Sequence, residues 1–590
     1  MRHFVLPVRK VTGSSWHLRS FLASLLFYLT ILGAGLALAT VASDVVVQNT
    51  DGSAPITQLR LLAQGLIGDV RELRLARIPS FFPDLLAIWM LTKLGGSTQT
   101  AAILLAKYAV LMGGLFLGLQ SWIIALGTGL SRWTALLISL AGTFLLFRTS
   151  SLYREVLGIT LTPLHHGGNL INTMLAIGIF SMAIGRLSRG KGKVVWALLL
   201  VLVAVAAASN VLFFFTACLP LLIVSTWLLL LSSGSRSPFL AAVAGRLHGG
   251  HRMVLVASLP LAAASGILSS RLFNLQCVSP IQTHSLSNLF AAYSHSRAFL
   301  LATWVAFALL VAMARLRAAR ASEVSLVVAL SALSPFLYTI LLPDLAPRYL
   351  LILIMMIVVM GCLFLRVVAS IACGPTRDAL QPSTARSSVR KRWYFREQLH
   401  AILVLSLMGL YLIGPSTALA ARHFAIAYEK RFPLDSLAAE LLPRLNQSTG
   451  LSDFWGANLS TLSGGRLDVQ PIHSNGEPDL WAHNREAFLA TSRGRHGGAA
   501  LPDGPSQPAS DDKLAVKNYS FIYLREEEGN GLSEAEILRA YGEPDRRIGC
   551  RKGVKDLCIL LYDDSRRIQE VIGGKLKRFR SLCIPFRNDR

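Results

Sequence analysis

The stretch FPDLLAIWMLTKLG, residues 82–95, decides how the chain is threaded. It is apolar, but it is short for a membrane span and it begins beside a proline. It also carries Asp84, and a carboxylate is costly beside lipid. The segment reads as a re-entrant or interfacial helix packed against the protein. At the head of that helix, free N–H groups and the helix dipole favour a negative charge.

The rest of the chain follows from that reading. Of 590 residues, 53% are hydrophobic and 15% charged, with a mean hydropathy of +0.50. Apolar residues gather in blocks of about 20, the length that crosses a bilayer. These blocks lie at 20–42, 100–121, 132–148, 168–186, 194–209, 211–232, 253–270, 298–315, 323–342, 349–370 and 400–420. The expected class is a mainly α polytopic membrane protein with about eleven spans.

Charge sets the orientation. The net charge of +25 would suit nucleic acid if it formed a patch. Instead the basic residues sit in short loops such as RLSRGKGK (186–193), RLRAAR (315–320) and RSSVRKRWYFR (386–396). The positive-inside rule explains that pattern, and no nucleic-acid partner is expected. Placing 186–193, 232–252, 315–322 and 374–398 inside puts 43–99, 149–167, 271–297, 343–348 and everything after 420 outside. This parity holds only if 82–95 does not cross. The basic N-terminus precedes an apolar block too long for an ordinary signal sequence, so it reads as cytoplasmic and uncleaved.

Two parts are expected. Residues 1–420 form the membrane module, with a long first outer loop at 43–99. Residues 421–590 form a small exoplasmic α/β domain, with a disordered Gly/Pro/Ser-rich loop near 493–512. In that domain NYSFIYL (518–524) and CILLYD (558–563) read as strands. LSEAEILRAYG (532–542) reads as a helix, with Ser533 and Glu536 spaced as a capping box and Gly542 as its C-cap. Of seven cysteines, Cys550 and Cys558 are candidates for a disulfide if the tail faces an oxidising compartment.

There is no P-loop, GxSxG, HExxH or clustered metal-ligand spacing. The informative polar residues stand at the outer ends of helices. They are Asp44, Asp51 and Asp84 in the first loop, His165 and His166 in TPLHHGG (162–168), Asn210 in a tight hairpin, and Arg348 in PDLAPRYL (343–350). Asp51 lies in QNTDGSAP, which is also a good turn sequence.

These features resemble the GT-C superfamily of polyprenyl-phosphate-dependent glycosyltransferases. The resemblance rests on the acidic first loop, the FFPD element at 81–84, RYL at 348–350 and an exoplasmic C-terminal domain. It is nearest to bacterial proteins in which a first-loop Asp, here Asp51, precedes FFPD, and whose tails resemble GLSDFWGANLSTLSGGRLDVQPI (450–472) and DLWAHNREAF (479–488). One departure is Asn210, where the resemblance implies an aspartate.

The resemblance implies an inverting glycosyltransferase in a bacterial inner membrane. It would move a sugar from a polyprenyl-phosphate donor to a hydroxyl of a glycan, lipid-glycan or protein acceptor on the outer face. Asp51 or Asp44 would be the base, Arg348 would hold the lipid phosphate, and Asp84, His165, His166 and Asn210 would shape the sugar site. No cofactor beyond that lipid-linked substrate is implied, and nothing in the sequence supports a divalent metal. Two other classes fit the composition: a transporter or flippase of an amphipathic substrate, and a glycan-binding scaffold. A transporter often shows matched halves with helices broken at mid-membrane. No such symmetry is visible, and the polar groups lie at span ends.

Overall fold

The computed structural model describes residues 13–48, 80–95, 101–163, 166–187, 192–232, 249–272, 285–315, 321–338, 345–372, 416–431, 449–452, 467–473, 475–478, 516–524, 532–548 and 558–578. The helices up to the first interrupted one are α1 (Gly13–Val41), α2 (Ser43–Gln48), α3 (Leu86–Gly95), α4 (Ala101–Thr128), α5 (Arg132–Thr149), α6 (Ser151–Leu161), α7 (Gly167–Leu187) and α8 (Lys193–Ser209). A π turn at Phe214–Cys218 leads into α9 (Leu219–Ser232), followed by α10 (Gly249–Leu272), α11 (Leu286–Tyr293), α12 (Arg297–Arg315) and α13 (Ala321–Tyr338). A 3-10 turn at Pro347–Leu350 opens α14 (Leu351–Met355), then come α15 (Ile357–Ala372) and α16 (Ser416–Arg431). The tail holds β1 (Thr449–Ser452), β2 (Asp468–Pro471), β3 (Phe521–Leu524), α17 (Glu534–Tyr541), β4 (Arg546–Ile548), β5 (Cys558–Leu561) and α18 (Arg566–Arg578).

The apolar blocks are helical where they are described, but the expectation of about eleven spans is corrected. Among the described residues four helices are long and apolar enough to cross a membrane: Leu22–Val41, Ile103–Thr128, Gly167–Ile184 and Pro347–Ala369. A fifth would be α5 with α6, which are bent by 118° at their junction. The remaining apolar helices have only 10–17 residues in their apolar stretches. At 1.5 Å per residue these reach at most about 25 Å, less than the ~30 Å hydrocarbon core. The reason is the length of the continuous apolar stretches among the described residues. In the block at 211–232 a π turn sits inside a continuous helix whose apolar stretch is Phe214–Trp227, and after the block at 132–148 Ser150 caps α6, its hydroxyl accepting from the Tyr153 N–H, to start the bent arm. Most of the block at 400–420 lies outside the described residues.

The outward surfaces suit lipid. On α12, Leu300, Trp304, Phe307 and Val311 are exposed at helical spacing. Inside, polar groups join helices. The Gln120 side chain of α4 accepts hydrogen bonds from the Ser139 and Thr143 hydroxyls of α5, and its amide donates to the Met355 carbonyl at 3.4 Å. Helix–helix contacts of this kind keep polar atoms satisfied away from water.

The segment that set the threading is a short helix. α3 has ten residues, about 15 Å of rise. Ile88 and Leu91 are buried, while Leu86, Trp89 and Met90 are exposed. One face of this short helix packs against the protein, and the other is apolar and carries Trp89 outward.

In the tail, the sheet order is β2-β1-β3-β5-β4. β1 pairs parallel with β2 and β3, and β5 pairs antiparallel with β3 and β4. Strand alternation gives the sheet two apolar faces. Val469, Phe521, Tyr523, Ile559 and Leu561 belong to the same continuous core as the helices. Leu451, Ile522, Leu524 and Leu560 pack with Ile537 of α17 and Ile568, Ile572 and Leu576 of α18. Helix α16 runs across residue 420 and packs against α1, α2 and α4. The loop near 493–512 lies outside the described residues. At α17 the cap differs from the capping-box expectation. Ser533 makes no side-chain cap bond. Gly542 does end the helix, at φ 88°, with its N–H bonded to the Leu538 carbonyl.

Tyr562 is pushed up from 10.0 to about 12, first by burial and then by the Glu543 carboxylate. Its protonated form is the one the fold favours. The stability it contributes is complete below its unfolded value near 10 and is lost as pH rises towards 12. In an alkaline titration of the full-length protein, Tyr562→Phe should remove a phenolate absorbance step near pH 12. A step nearer pH 10 would show the ring to be solvated.

Cys558 is disulfide-bonded. Cys550 and the other half of that bond lie outside the described residues, among which Cys218 and Cys362 are free thiols. Loss of such a bond costs about 2–4 kcal/mol. Reductant should therefore make the sheet protease-sensitive, and Cys558→Ser should be equally sensitive without reductant. Unchanged digestion in both would show that the bond does not hold the sheet.

Candidate functional site

The FFPD turn is held by the end of α8 and the start of α7. Phe82 is extended (φ −125°, ψ 127°) between helical residues, so its two backbone polar groups need partners from elsewhere. The Ser209 hydroxyl serves both. It accepts from the Phe82 N–H at 3.0 Å and donates to the Phe82 carbonyl at 2.9 Å. Asn172 of α7 donates to the same carbonyl at 3.2 Å. The Ser80 N–H donates to the Ser209 carbonyl at 3.1 Å.

This clamp puts Asp84 indoors. The residue is 1% exposed, and Tyr108 of α4 donates its hydroxyl to Oδ1 at 2.7 Å. The carboxylate also lies over the first turn of α7, where helix N–H groups and the dipole favour negative charge. Gly168 permits this approach, since a Cβ there would lie 2.6 Å from Asp84 Oδ1 and 2.7 Å from Pro83 Cδ. Asp84 is thus a buried, hydrogen-bonded carboxylate at the meeting of three helices.

His166 and Asn210 meet beside it. Asn210 caps α8, and its Nδ2 lies 3.1 Å from His166 Nδ1. Its Oδ1 accepts from the Leu212 N–H at 3.0 Å. His166 has φ 68°, a left-handed conformation uncommon outside glycine. It precedes Gly167, where a Cβ would fall 2.3 Å from the Thr160 carbonyl oxygen. The imidazole lies 5.4 Å from the Tyr349 ring, centroid to centroid. The Arg348 guanidinium lies 5.2 Å from that ring's centroid, and Tyr338 donates to the Tyr349 carbonyl at 2.7 Å. Two residues further into α7, Asn169 accepts from Thr216 at 3.3 Å, and Thr216 meets Thr173 at 3.0 Å.

The structure therefore brings Asp84, His166 and Asn210 together at helix ends, with the Tyr349 ring against His166 and the Arg348 guanidinium against that ring. Asp44 stands apart. It is an exposed residue in the first turn of α2, and no hydrogen bond among the described residues joins it to the cluster. Asp51 and His165 lie outside the described residues. Among the described residues no group of three or more His, Cys, Asp or Glu side chains is arranged to hold a metal ion.

Reading by sequence missed Tyr108, Asn169, Asn172, Thr173, Ser209 and Thr216. One signal was there to be used. In NLINT (169–173) three polar residues recur at i, i+3 and i+4 on an otherwise apolar span, and polar groups inside a membrane segment usually have a purpose. Tyr108 offered none, because a tyrosine in an apolar helix is ordinary.

No known protein family matches this chain, and no curated protein matches it.

Proposed function

We propose that the chain is a membrane glycosyltransferase of the GT-C kind, acting on a polyprenyl-phosphate sugar at the outer face of a bacterial inner membrane. The observation that carries this reading is the convergence of Asp84, His166, Asn210 and the Arg348–Tyr349 pair at the ends of several helices. Such a cluster suits a lipid-phosphate sugar, whose tail lies among helices while its head meets polar groups. Guanidinium can hold phosphate oxygens bidentately, which is the role assigned to Arg348. Asp51 is the proposed base and must come within hydrogen-bond reach of the acceptor hydroxyl. Asp44 is the alternative base. Asp84, locked against Tyr108, shapes the site.

A second reading, a glycan-binding scaffold without catalysis, has one observation in its favour: the best-placed carboxylate is already committed to Tyr108.

The deciding experiment offers radiolabelled polyprenyl-phosphate sugars, together with a lipid extract of the host, to the protein in nanodiscs. Release of polyprenyl phosphate by wild type is expected. It should fall by about 10²-fold or more in Asp51→Asn while binding persists, the scale expected for a general base. Loss of binding in Arg348→Ala would support that residue's role. Binding without release would favour the scaffold, and no binding at all would overturn both readings.

A further inference from the structure

We propose that Asn210 is a positioning residue that holds His166 as a neutral imidazole with its proton on Nε2. An asparagine amide can present either its oxygen or its NH2 to a neighbour, and here the backbone decides which. The Leu212 N–H donates to Asn210 Oδ1 at 3.0 Å, an Asx-turn contact that uses the amide oxygen. The NH2 is then the atom 3.1 Å from His166 Nδ1. An amide NH2 only donates, so Nδ1 must accept and cannot carry a proton. Flipping the amide would set two donors, its NH2 and the Leu212 N–H, against each other. Both side chains are buried, with Asn210 3% and His166 5% exposed, so water does not readily replace a lost bond.

Charged and titratable groups stand on several of the described elements near the imidazole. From the 3-10 turn come the Tyr349 ring at 5.4 Å and, over that ring, the Arg348 guanidinium. α13 contributes Tyr338, bonded to the Tyr349 carbonyl. Of the helices packed against α7, α4 carries Lys107 and Tyr108, and α6 carries the exposed Arg154 and Glu155. Among the described residues Asp84 and Glu323 are buried acids; Glu323 lies at the opposite end of α13 from Tyr338, and Asp84, which would favour a cation, is engaged by Tyr108 and by the start of α7. No described carboxylate takes the place of Asn210 at Nδ1.

The consequence is mechanical. His166 ties the left-handed start of α7 to the cap of α8, and its ring lies against Tyr349 beside Arg348. Protonation of Nδ1 would oppose two donors and loosen that tie. The geometry should thus hold above the usual histidine range and fail as pH falls below it. That this sets the pose of the Arg348–Tyr349 pair toward a phosphate rests on the glycosyltransferase reading; the protonation state does not.

The test is nitrogen NMR on the full-length protein in nanodiscs, labelled with 15N-histidine, with His166→Gln identifying one signal among 13 histidines. At pH 7, wild-type His166 should show an unprotonated Nδ1 and a protonated Nε2. In Asn210→Asp a carboxylate replaces the donor, and His166 should gain a proton, with its titration raised by about one unit or more. A protonated Nδ1 in wild type would overturn the proposal, as would an identical titration in a folded Asn210→Asp. If that variant does not fold, the wild-type signal alone decides. None of these signals depends on turnover, so the proposal and the donor assay fail separately.

Discussion

Asp84→Ala is expected to destabilise the protein by about 3 kcal/mol, because it removes the acceptor of a buried hydroxyl and the anion resting on the start of α7. Tyr108→Phe removes only the 2.7 Å bond and leaves the carboxylate on the helix terminus. Its expected cost is about 2 kcal/mol, the range for a hydrogen bond to a charged group. Asp84→Asn keeps an oxygen for Tyr108 and should cost least, about 1 kcal/mol. The two larger losses share one interaction, so the double variant should fall short of their sum. Thermal unfolding midpoints in one detergent would rank the four proteins. Unchanged melting of Asp84→Ala would mean the carboxylate is not a pin. A variant Asp84→Asn that melts normally yet abolishes sugar release would move Asp84 from shaping the site to the chemistry itself.

The second large effect concerns a place where two helices touch backbone to backbone. A Cβ on Gly266 of α10 would lie 2.0 Å from the Ala204 carbonyl oxygen of α8. No rotamer change relieves that clash, because the obstacle is main chain. Gly266→Ala must push the helices apart, which puts it at the upper end of the overpacking range, about 3 kcal/mol. Gly178 provides the comparison. A Cβ there would lie equally close, 2.0 Å, to Trp122 Cζ3, but that obstacle is a side chain at a partly exposed position and can swing. Gly178→Ala should cost about 1 kcal/mol. Recovery of monodisperse protein after detergent extraction, with melting midpoints, would measure both. Equal losses would contradict the distinction between a fixed and a movable neighbour. The contact itself follows the small-residue logic of membrane helices.

Composition and local pattern determined a good deal. Runs of about 20 apolar residues need a bilayer or a large buried core, and that alone led to a membrane class. Helix positions followed, since α7 and α8 coincide closely with the apolar blocks at 168–186 and 194–209. Strands β3 and β5 fell inside the stretches read as strands, and Gly542 ends α17 as its position implied. All of these depend on neighbours within a turn or two.

Only the tertiary structure decided which polar groups meet. Ser209 and Phe82 are 127 residues apart, His166 and Asn210 are 44 apart, and Tyr108 and Asp84 are 24 apart. No local period encodes such pairs. Asp84 looked like an interfacial helix cap because it heads α3; packing of α7 and α4 over it made it a buried pin. Span count was likewise overestimated from composition, because the apolar stretches of several described helices, such as Phe214–Trp227 and Arg297–Met313, are shorter than a span. Hydropathy reports how greasy a segment is. Whether its helix continues depends on backbone hydrogen bonds and on the neighbours that complete them when it stops.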